Sequence, residues 1–297
     1  MKKTTIFRGT GVAIVTPMHD DGSVNFEKYR ELIEWQIENG TDAIITCGTT
    51  GESSTLTHEE HTEAIKVSIE QAKGRVPVIA GTGSNDTGYC IELSQEAKRL
   101  GADALLVVTP YYNKTSQRGL IAHYNTVADA VRMPIMLYNV PSRTGVDIKP
   151  ATYVELGKNP YIVAIKEANG NMSAILRTAA LCGDSLDLYS GNDDQIVPML
   201  ALGGKGVISV MSNILPKQTD DICEKWFAGD TEGSLALQKE LSDLSMALFS
   251  DVNPIPIKEA MNLMGMDVGQ CRMPLVGMDD AGREALAAVL RRHGLMA

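Results

Sequence analysis

The chain of 297 residues has no apolar run near the ~18–20 residues that a membrane-spanning helix requires, so no such span is expected. It is short of positive charge: 27 Lys and Arg against 37 Asp and Glu leave a formal net charge of -10. That balance argues against nucleic-acid partners and against anionic membrane surfaces. Cysteine is sparse. The five thiols, Cys47, Cys90, Cys182, Cys223 and Cys271, are scattered, odd in number and without a Cys-x-x-Cys pair. Free thiols in a reducing, cytoplasmic setting are the simplest expectation. The basic start, Met1-Lys-Lys-Thr-Thr-Ile-Phe-Arg8, has no apolar stretch behind it, so no signal peptide is expected. His58 and His61 have helical spacing but no third ligand close in sequence, and His19, His123 and His293 are dispersed. No metal is expected.

What the chain does have is alternation. Eight short apolar runs occur: Gly11–Val15, Ala43–Thr46, Val76–Ala80, Ala104–Val108, Ile135–Tyr138, Ile162–Ile165, Leu186–Tyr189 and Val207–Val210. Amphipathic stretches of helical length lie between most of them: Phe26–Glu38, Glu59–Lys73, Thr87–Leu100, Gly119–Ala130, Met172–Leu181 and Asp194–Leu202. Gly40-Thr-Asp-Ala and Gly101-Ala-Asp-Ala repeat one helix-to-strand join, with glycine as the left-handed cap. Strand then helix, eight times, predicts an α/β fold, a (β/α)8 TIM barrel; a doubly wound open sheet, the competitor, usually stops at five or six strands. After Met211 the alternation ends. Pro216–Phe227, Thr231–Phe249, Pro256–Leu263 and Gly282–Arg292 are helical in period. The expected division is a barrel over residues 1–211 carrying the site, with a helical appendage over 212–297 packed directly on it.

In such barrels the active site lies at the C-terminal ends of the strands. Those ends read Gly48-Thr49-Thr50-Gly51-Glu52-Ser53, Thr109-Pro110-Tyr111-Tyr112-Asn113, Tyr138-Asn139-Val140-Pro141-Ser142-Arg143, Lys166-Glu167 and Ser190-Gly191-Asn192-Asp193. Hydroxyls, phenols, one guanidinium and one amine therefore meet at one rim. Lys166 closes an apolar run, which puts its stem in the core. Desolvation favours a neutral amine, the form that attacks a carbonyl to give a Schiff base. Tyr138, one strand away, could move protons. Thr49 and Thr50 could hydrogen-bond a carboxylate. Arg143 could grip a second carboxylate in a bidentate fork. Each has a plainer alternative: a snorkelling lysine, a core tyrosine, a threonine helix cap with Glu52 near the first turn, a solvated loop arginine. A dinucleotide-dependent oxidoreductase is a poorer fit, because Gly81-Thr-Gly83-Ser-Asn-Asp86 lacks the third glycine of the fingerprint. A catalytically dead sensor of 2-oxo acids conflicts with the presence of Lys166, Tyr138, Thr50 and Arg143 together.

At these residues the chain resembles the pyruvate-dependent class I lyases typified by dihydrodipicolinate synthase and N-acetylneuraminate lyase, and within them the dihydrodipicolinate synthases. The resemblance runs from Gly9-Thr-Gly-Val-Ala-Ile-Val-Thr-Pro17 through Gly48-Thr-Thr-Gly-Glu52, Tyr138-Asn-Val-Pro-Ser-Arg-Thr-Gly145 and Ile165-Lys-Glu-Ala-Asn-Gly-Asn171 to Asn253-Pro-Ile-Pro-Ile-Lys258. It implies condensation of pyruvate with L-aspartate 4-semialdehyde to 4-hydroxy-tetrahydrodipicolinate, the first committed step of lysine and diaminopimelate biosynthesis. It implies that Lys166 forms the imine, with no metal or organic cofactor. Thr50 would link Tyr138 to Tyr112 of a neighbouring subunit in a proton relay, within a homotetramer of tight dimers. Arg143 would receive the carboxylate of the semialdehyde. Thr49, Thr50, Gly191 and Ile208 would line the pyruvate pocket. Ser53, His58, His61, Asn85 and Tyr111 match a site for inhibitory L-lysine, although Tyr89 stands where some lysine-sensitive relatives carry an acid. The alternative within the family is an aldolase for a sugar acid or amino sugar, whose members generally lack the arginine.

Overall fold

The computed structural model describes residues 3–296. Eight parallel strands close into one barrel in sequence order: β1 (Gly9–Ala13), β2 (Ala43–Thr46), β3 (Val78–Gly81), β4 (Ala104–Val108), β5 (Ile135–Asn139), β6 (Ile162–Glu167), β7 (Asp187–Ser190) and β8 (Gly206–Ser209). The helices outside are α1 (Phe26–Glu38), α2 (His58–Ala72), α3 (Thr87–Leu100), α4 (Gln117–Val131), α5 (Pro141–Thr144), α6 (Pro150–Leu156), α7 (Met172–Cys182), α8 (Ile196–Ala201) and α9 (Pro216–Phe227). The expected TIM barrel is therefore the observed one. Its strand ends shift by a residue or two from the apolar runs, most at β1, which starts at Gly9 rather than Gly11.

Local chemistry explains the helix starts. The Asn25, Asp86 and Ser116 side chains each accept a backbone N–H of the first turn, and Thr57 with Glu60 forms a capping box. The crossover between β5 and β6 has no long amphipathic stretch, and there the structure places the two short helices α5 and α6, each with proline in its first turn.

Side chains alternate across each strand and build two cores. Ala43, Ile45, Leu106, Met136, Tyr138 and Ile208 fill the barrel interior, whereas Ile44, Leu105, Val107, Leu137 and Ile165 pack outward against the helices. Phe7 and Tyr189, stacked with centroids 4.5 Å apart, belong to the same interior cluster. The closing seam pairs Gly9 with Gly206. Gly206 has φ +150°, and a Cβ there would sit 1.8 Å from the Gly9 carbonyl oxygen, so only glycine permits the strands to approach.

Beyond β8 the chain is helical. α9 lies against β1 and α8 and completes the outer ring. α10 (Thr231–Glu240), α11 (Ser242–Ala247), α12 (Ile255–Leu263) and α13 (Asp280–Arg292) follow. The single stretch expected over Thr231–Phe249 is two helices, broken at Leu241, whose ψ of 5° leaves the helical range. This segment docks on the barrel through a buried ion pair. Lys258 Nζ of α12 donates to Glu52 Oε1 in the β2–α2 loop at 2.9 Å, and also to the Thr16 and Gln270 carbonyls.

Candidate active site

The site is set by the pairing of β5 with β6. Tyr138 stands opposite Lys166 and Asn139 opposite Glu167. Strand alternation turns Lys166 and Tyr138 inward, on the same side as Met136 and Ala164, and turns Asn139 and Glu167 outward. The Lys166 ammonium lies 4.2 Å from the centroid of the Tyr138 ring, a cation–π distance. Both are almost closed off from solvent, Lys166 at 5% and Tyr138 at 6% exposure. The snorkelling alternative for Lys166 does not hold: its amine is buried over the Tyr138 ring, and among the described residues it pairs with no carboxylate.

The next wall is Gly191, after β7. A Cβ built on it would lie 2.8 Å from the Ala168 Cβ and 3.3 Å from Lys166 Cε. A side chain there would fill the space beside the lysine. Ile208 on β8 is fully buried in the interior cluster with Tyr138 and Tyr189. Asp193 follows Gly191 and is also buried. Its Oδ2 accepts the backbone N–H groups of Val210 and Met211 at 3.0 and 2.9 Å, while its Oδ1 has no partner. Burial pushes this carboxyl up, opposed by Ser209, the two amides and the Lys166 charge.

Thr50 is buried and Thr49 half-buried in a sharp reversal after β2, where Cys47 and Glu52 both take left-handed φ values of 54° and 55°. Neither threonine is a helix cap: Thr57 caps α2. Glu52 does stand at the start of a short 3-10 turn, Ser53–Thr55, but its carboxylate caps no helix: it is the buried partner of Lys258.

Two residues that reach the candidate site or anchor the segment beside it were not legible from strand ends. Asn253, just before α12, donates its Nδ2 to Thr50 Oγ1 at 3.0 Å, and Arg143 Nη2 donates to the Asn253 carbonyl at 3.1 Å. With one lone pair of Thr50 so occupied, the threonine keeps its own proton to donate onward. Lys258, which anchors this segment, is the second. The only signal for either was their place in the Asn253–Lys258 motif.

Arg143 itself is exposed at the rim. With Thr49, Ser53, His61, Tyr89 and Tyr111 it lines a cavity of about 360 Å³. Lys166 and Thr50, both buried, are not among its walls. Tyr112 does not join the site in this chain. It is 91% exposed, in a left-handed conformation with φ 71°.

The remaining candidates divide. Ser53, His61 and Tyr111 face the cavity. His58 instead pairs with Glu96 at 3.0 Å and with the Tyr89 hydroxyl, and Asn85 donates to the Tyr111 carbonyl. His61 Nε2 contacts the Gly81 carbonyl oxygen at 2.7 Å, so the two histidines do not converge. Among the described residues no three His, Cys, Asp or Glu side chains are grouped to hold a metal.

The chain matches the model of the dihydrodipicolinate synthetase family over residues 6–293. It is 57% identical to the 4-hydroxy-tetrahydrodipicolinate synthase of Lachnoclostridium phytofermentans, over 98% of this chain and 99% of that relative. Among solved structures it is similar to the chloride-inhibited dihydrodipicolinate synthase of Acinetobacter baumannii complexed with pyruvate, at TM-score 0.96 and 44% identity, over 98% of this chain and 100% of that one. It is also similar to the DHDPS of Cyanidioschyzon merolae with lysine bound, at TM-score 0.96 and 38% identity, over 99% of this chain and 100% of the other.

Proposed function

The chain belongs to the dihydrodipicolinate synthetase family, and from that membership we infer that it is a lyase condensing pyruvate with L-aspartate 4-semialdehyde to 4-hydroxy-tetrahydrodipicolinate. The product places it at the first committed step of lysine and diaminopimelate biosynthesis.

The observation that carries the mechanism is the amine of Lys166 held over the Tyr138 ring at paired strand ends. The Lys166 amine adds to the C2 carbonyl of pyruvate, and loss of water leaves an imine. The imine withdraws charge, so the pyruvate methyl loses a proton and becomes a nucleophilic enamine carbon. That carbon attacks the aldehyde of the second substrate, whose oxygen takes up a proton. The α-amine of the adduct then closes on the imine carbon and expels Lys166. The imine is the electron sink, so the scheme routes no step through a metal or organic cofactor. Tyr138 and Thr50 serve the proton transfers. The hydrogen bond from Asn253 supports a directional relay by leaving Thr50 as donor to its other neighbour. Thr49, Gly191 and Ile208 shape the pyruvate pocket, and Arg143, exposed at the rim, takes the semialdehyde carboxylate.

Tyr112 completes the relay from a second copy of the chain. Its exposure and left-handed backbone support this, since among the described residues its hydroxyl has no hydrogen-bond partner. The assembly we propose is a homotetramer built from such dimers. We also propose L-lysine as a ligand of the cavity lined by Ser53, His61 and Tyr111, with His58 and Asn85 connected to it through their hydrogen bonds to Tyr89 and Tyr111; Tyr89 takes the place of an acid there. The functional division is the barrel over 1–211 and the helical part over 212–297, whose first helix closes the ring. Five free cysteines accord with a cytoplasmic location.

The test is the mass of the product formed from pyruvate and aspartate semialdehyde, with borohydride in a parallel sample. The expected result is the cyclic product, and reduced pyruvate on Lys166 in the trapped sample. Trapping without product would replace the acceptor by a sugar-type aldehyde. Neither signal from folded protein would overturn the role of Lys166.

A further inference from the structure

Behind the catalytic strand pair lies a closed polar network that the reaction itself does not use. Glu167 follows Lys166 and is 2% exposed, facing the helical layer. Its Oε1 accepts Asn139 Nδ2 at 2.9 Å and the Asn169 backbone N–H at 3.0 Å, and its Oε2 accepts the Tyr153 hydroxyl at 2.8 Å. Asn139 is the neighbour of Tyr138. Its Nδ2 also donates to Asp147 Oδ1 at 2.9 Å, and its Oδ1 accepts the Ile148 N–H at 3.1 Å. The carboxylate thus ties the end of β5, the loop after it, α6 and the loop after β6 to one point. No group at that point is a reactant.

The strand pair has need of such a point. The β5–β6 register shifts between Ile135 and Met136, so the ladder upstream does not by itself fix how the far ends align. A slip of one residue in β6 would turn Lys166 out of the barrel and away from Tyr138. We propose that Glu167 is a positioning residue for the lyase reaction: by gathering Asn139, Tyr153 and Asn169 on the outer side of β5 and β6, it holds the Lys166 amine over the Tyr138 ring on the inner side. The inference rests on the imine role of Lys166.

The donor pattern states which side chain the position requires. Every partner of Glu167 is a donor, and only an ionised carboxylate is acceptor on both oxygens. Burial opposes that charge and pushes the carboxyl up to about 7, with Asp147 adding to the rise and Tyr153, Asn169 and Asn139 resisting it. The charged and titratable groups around it are Tyr153 from α6, Asp147 with its partner Lys149 from the intervening loop, and Lys166 on its own strand. Protonation would turn one acceptor into a donor facing a donor.

The experiment is single-turnover borohydride trapping of pyruvate on Glu167→Gln, with the rate scaled to the folded fraction and taken between pH 6 and 8. Glutamine is close in shape but places an N–H against the ring of donors. The expected result is a trapping rate about 10- to 100-fold lower, the size of loss that a misplacement near 1 Å produces. The apparent affinity for pyruvate should change little. In the unaltered enzyme the rate should fall as pH drops through about 7, and in the variant this limb should be absent. A purely structural role would leave the rate per folded molecule and the limb unchanged, and either result overturns the proposal. Should Glu167→Gln fail to fold, Tyr153→Phe removes one donor and keeps the carboxylate; an intermediate loss supports the proposal and an unaltered rate overturns it. If the unaltered enzyme itself traps no pyruvate on Lys166, it is the imine reading that fails, not the positioning.

Discussion

Replacing Lys258 with methionine tests how the helical part is tied to the site. Lys258 and Glu52 are buried, with side chains 2% and 1% exposed. Lys258 Nζ donates to Glu52 Oε1 at 2.9 Å, the Thr16 carbonyl at 3.1 Å and the Gln270 carbonyl at 2.8 Å. Methionine keeps the stem volume and removes all three bonds, leaving a buried carboxylate whose remaining hydrogen bond, among the described residues, is from the Arg272 N–H at 2.8 Å. Stranding one partner of a buried pair costs about 3–5 kcal/mol, whereas replacing both partners is often nearly neutral. Unfolding entropy near 2.1 cal/mol/K per residue gives roughly 0.6 kcal/mol/K for a chain of this size, so the Tm should fall by about 5–8 °C. The pair Lys258→Met with Glu52→Gln should recover most of that loss. Melting followed by circular dichroism measures both, and turnover assayed well below the transition should also fall, because Asn253 sits five residues upstream on the same segment. A Lys258→Met melt within about 1 °C of the unaltered protein, or a double variant as unstable as the two single losses summed, would refute the reasoning.

Arg143→Ala should lower kcat/KM for the semialdehyde by about 100-fold, the worth of a charge-assisted bidentate bond, while the rate of pyruvate trapping stays the same; equal losses in both assays would remove the carboxylate role. Gly191→Ala should keep the fold and slow trapping by tenfold or more, since the added methyl falls 3.3 Å from Lys166 Cε; unaltered trapping would mean the pocket is not where we place it. Burial, then the nearby Asp42 carboxyl, pushes Asp220 up to about 8. The folded state therefore holds a proton that the unfolded chain releases near pH 4, so the stability this group contributes is present below about pH 4 and lost as pH rises through about 8. Asp220→Asn should leave stability unchanged at low pH and raise it by about 1–2 kcal/mol above pH 8, a figure reduced for the half-exposed site; urea curves that stay parallel at both ends of the range would refute it.

The barrel was readable because its information is local. Apolar runs, intervening helical periods and glycine joins recur at short range, and closure follows from their number. The rim residues were readable for the same reason: once a run ends, the next side chain must lie at the mouth, so Lys166, Tyr138, Thr50 and Gly191 could be assigned together. Lys166 and Tyr138 face each other because adjacent parallel strands end at one level and share parity. What local pattern could not supply was anything that depends on packing across the chain. Glu52 read as an acid near a helix start, where it does stand, but its carboxylate is a buried counter-charge to a lysine 206 positions away. Asn253, 203 positions from Thr50, orients that threonine and holds Arg143 by a carbonyl that any residue type could offer. His58 and His61 share helical spacing, yet one pairs outward with Glu96 and the other reaches the Gly81 carbonyl. By itself the sequence determined the order of the strands and which side chains stand at their ends. Only the tertiary structure decided which distant groups those side chains meet, because that is settled by how the helical segment seats on the barrel, and no period in the chain encodes the seat.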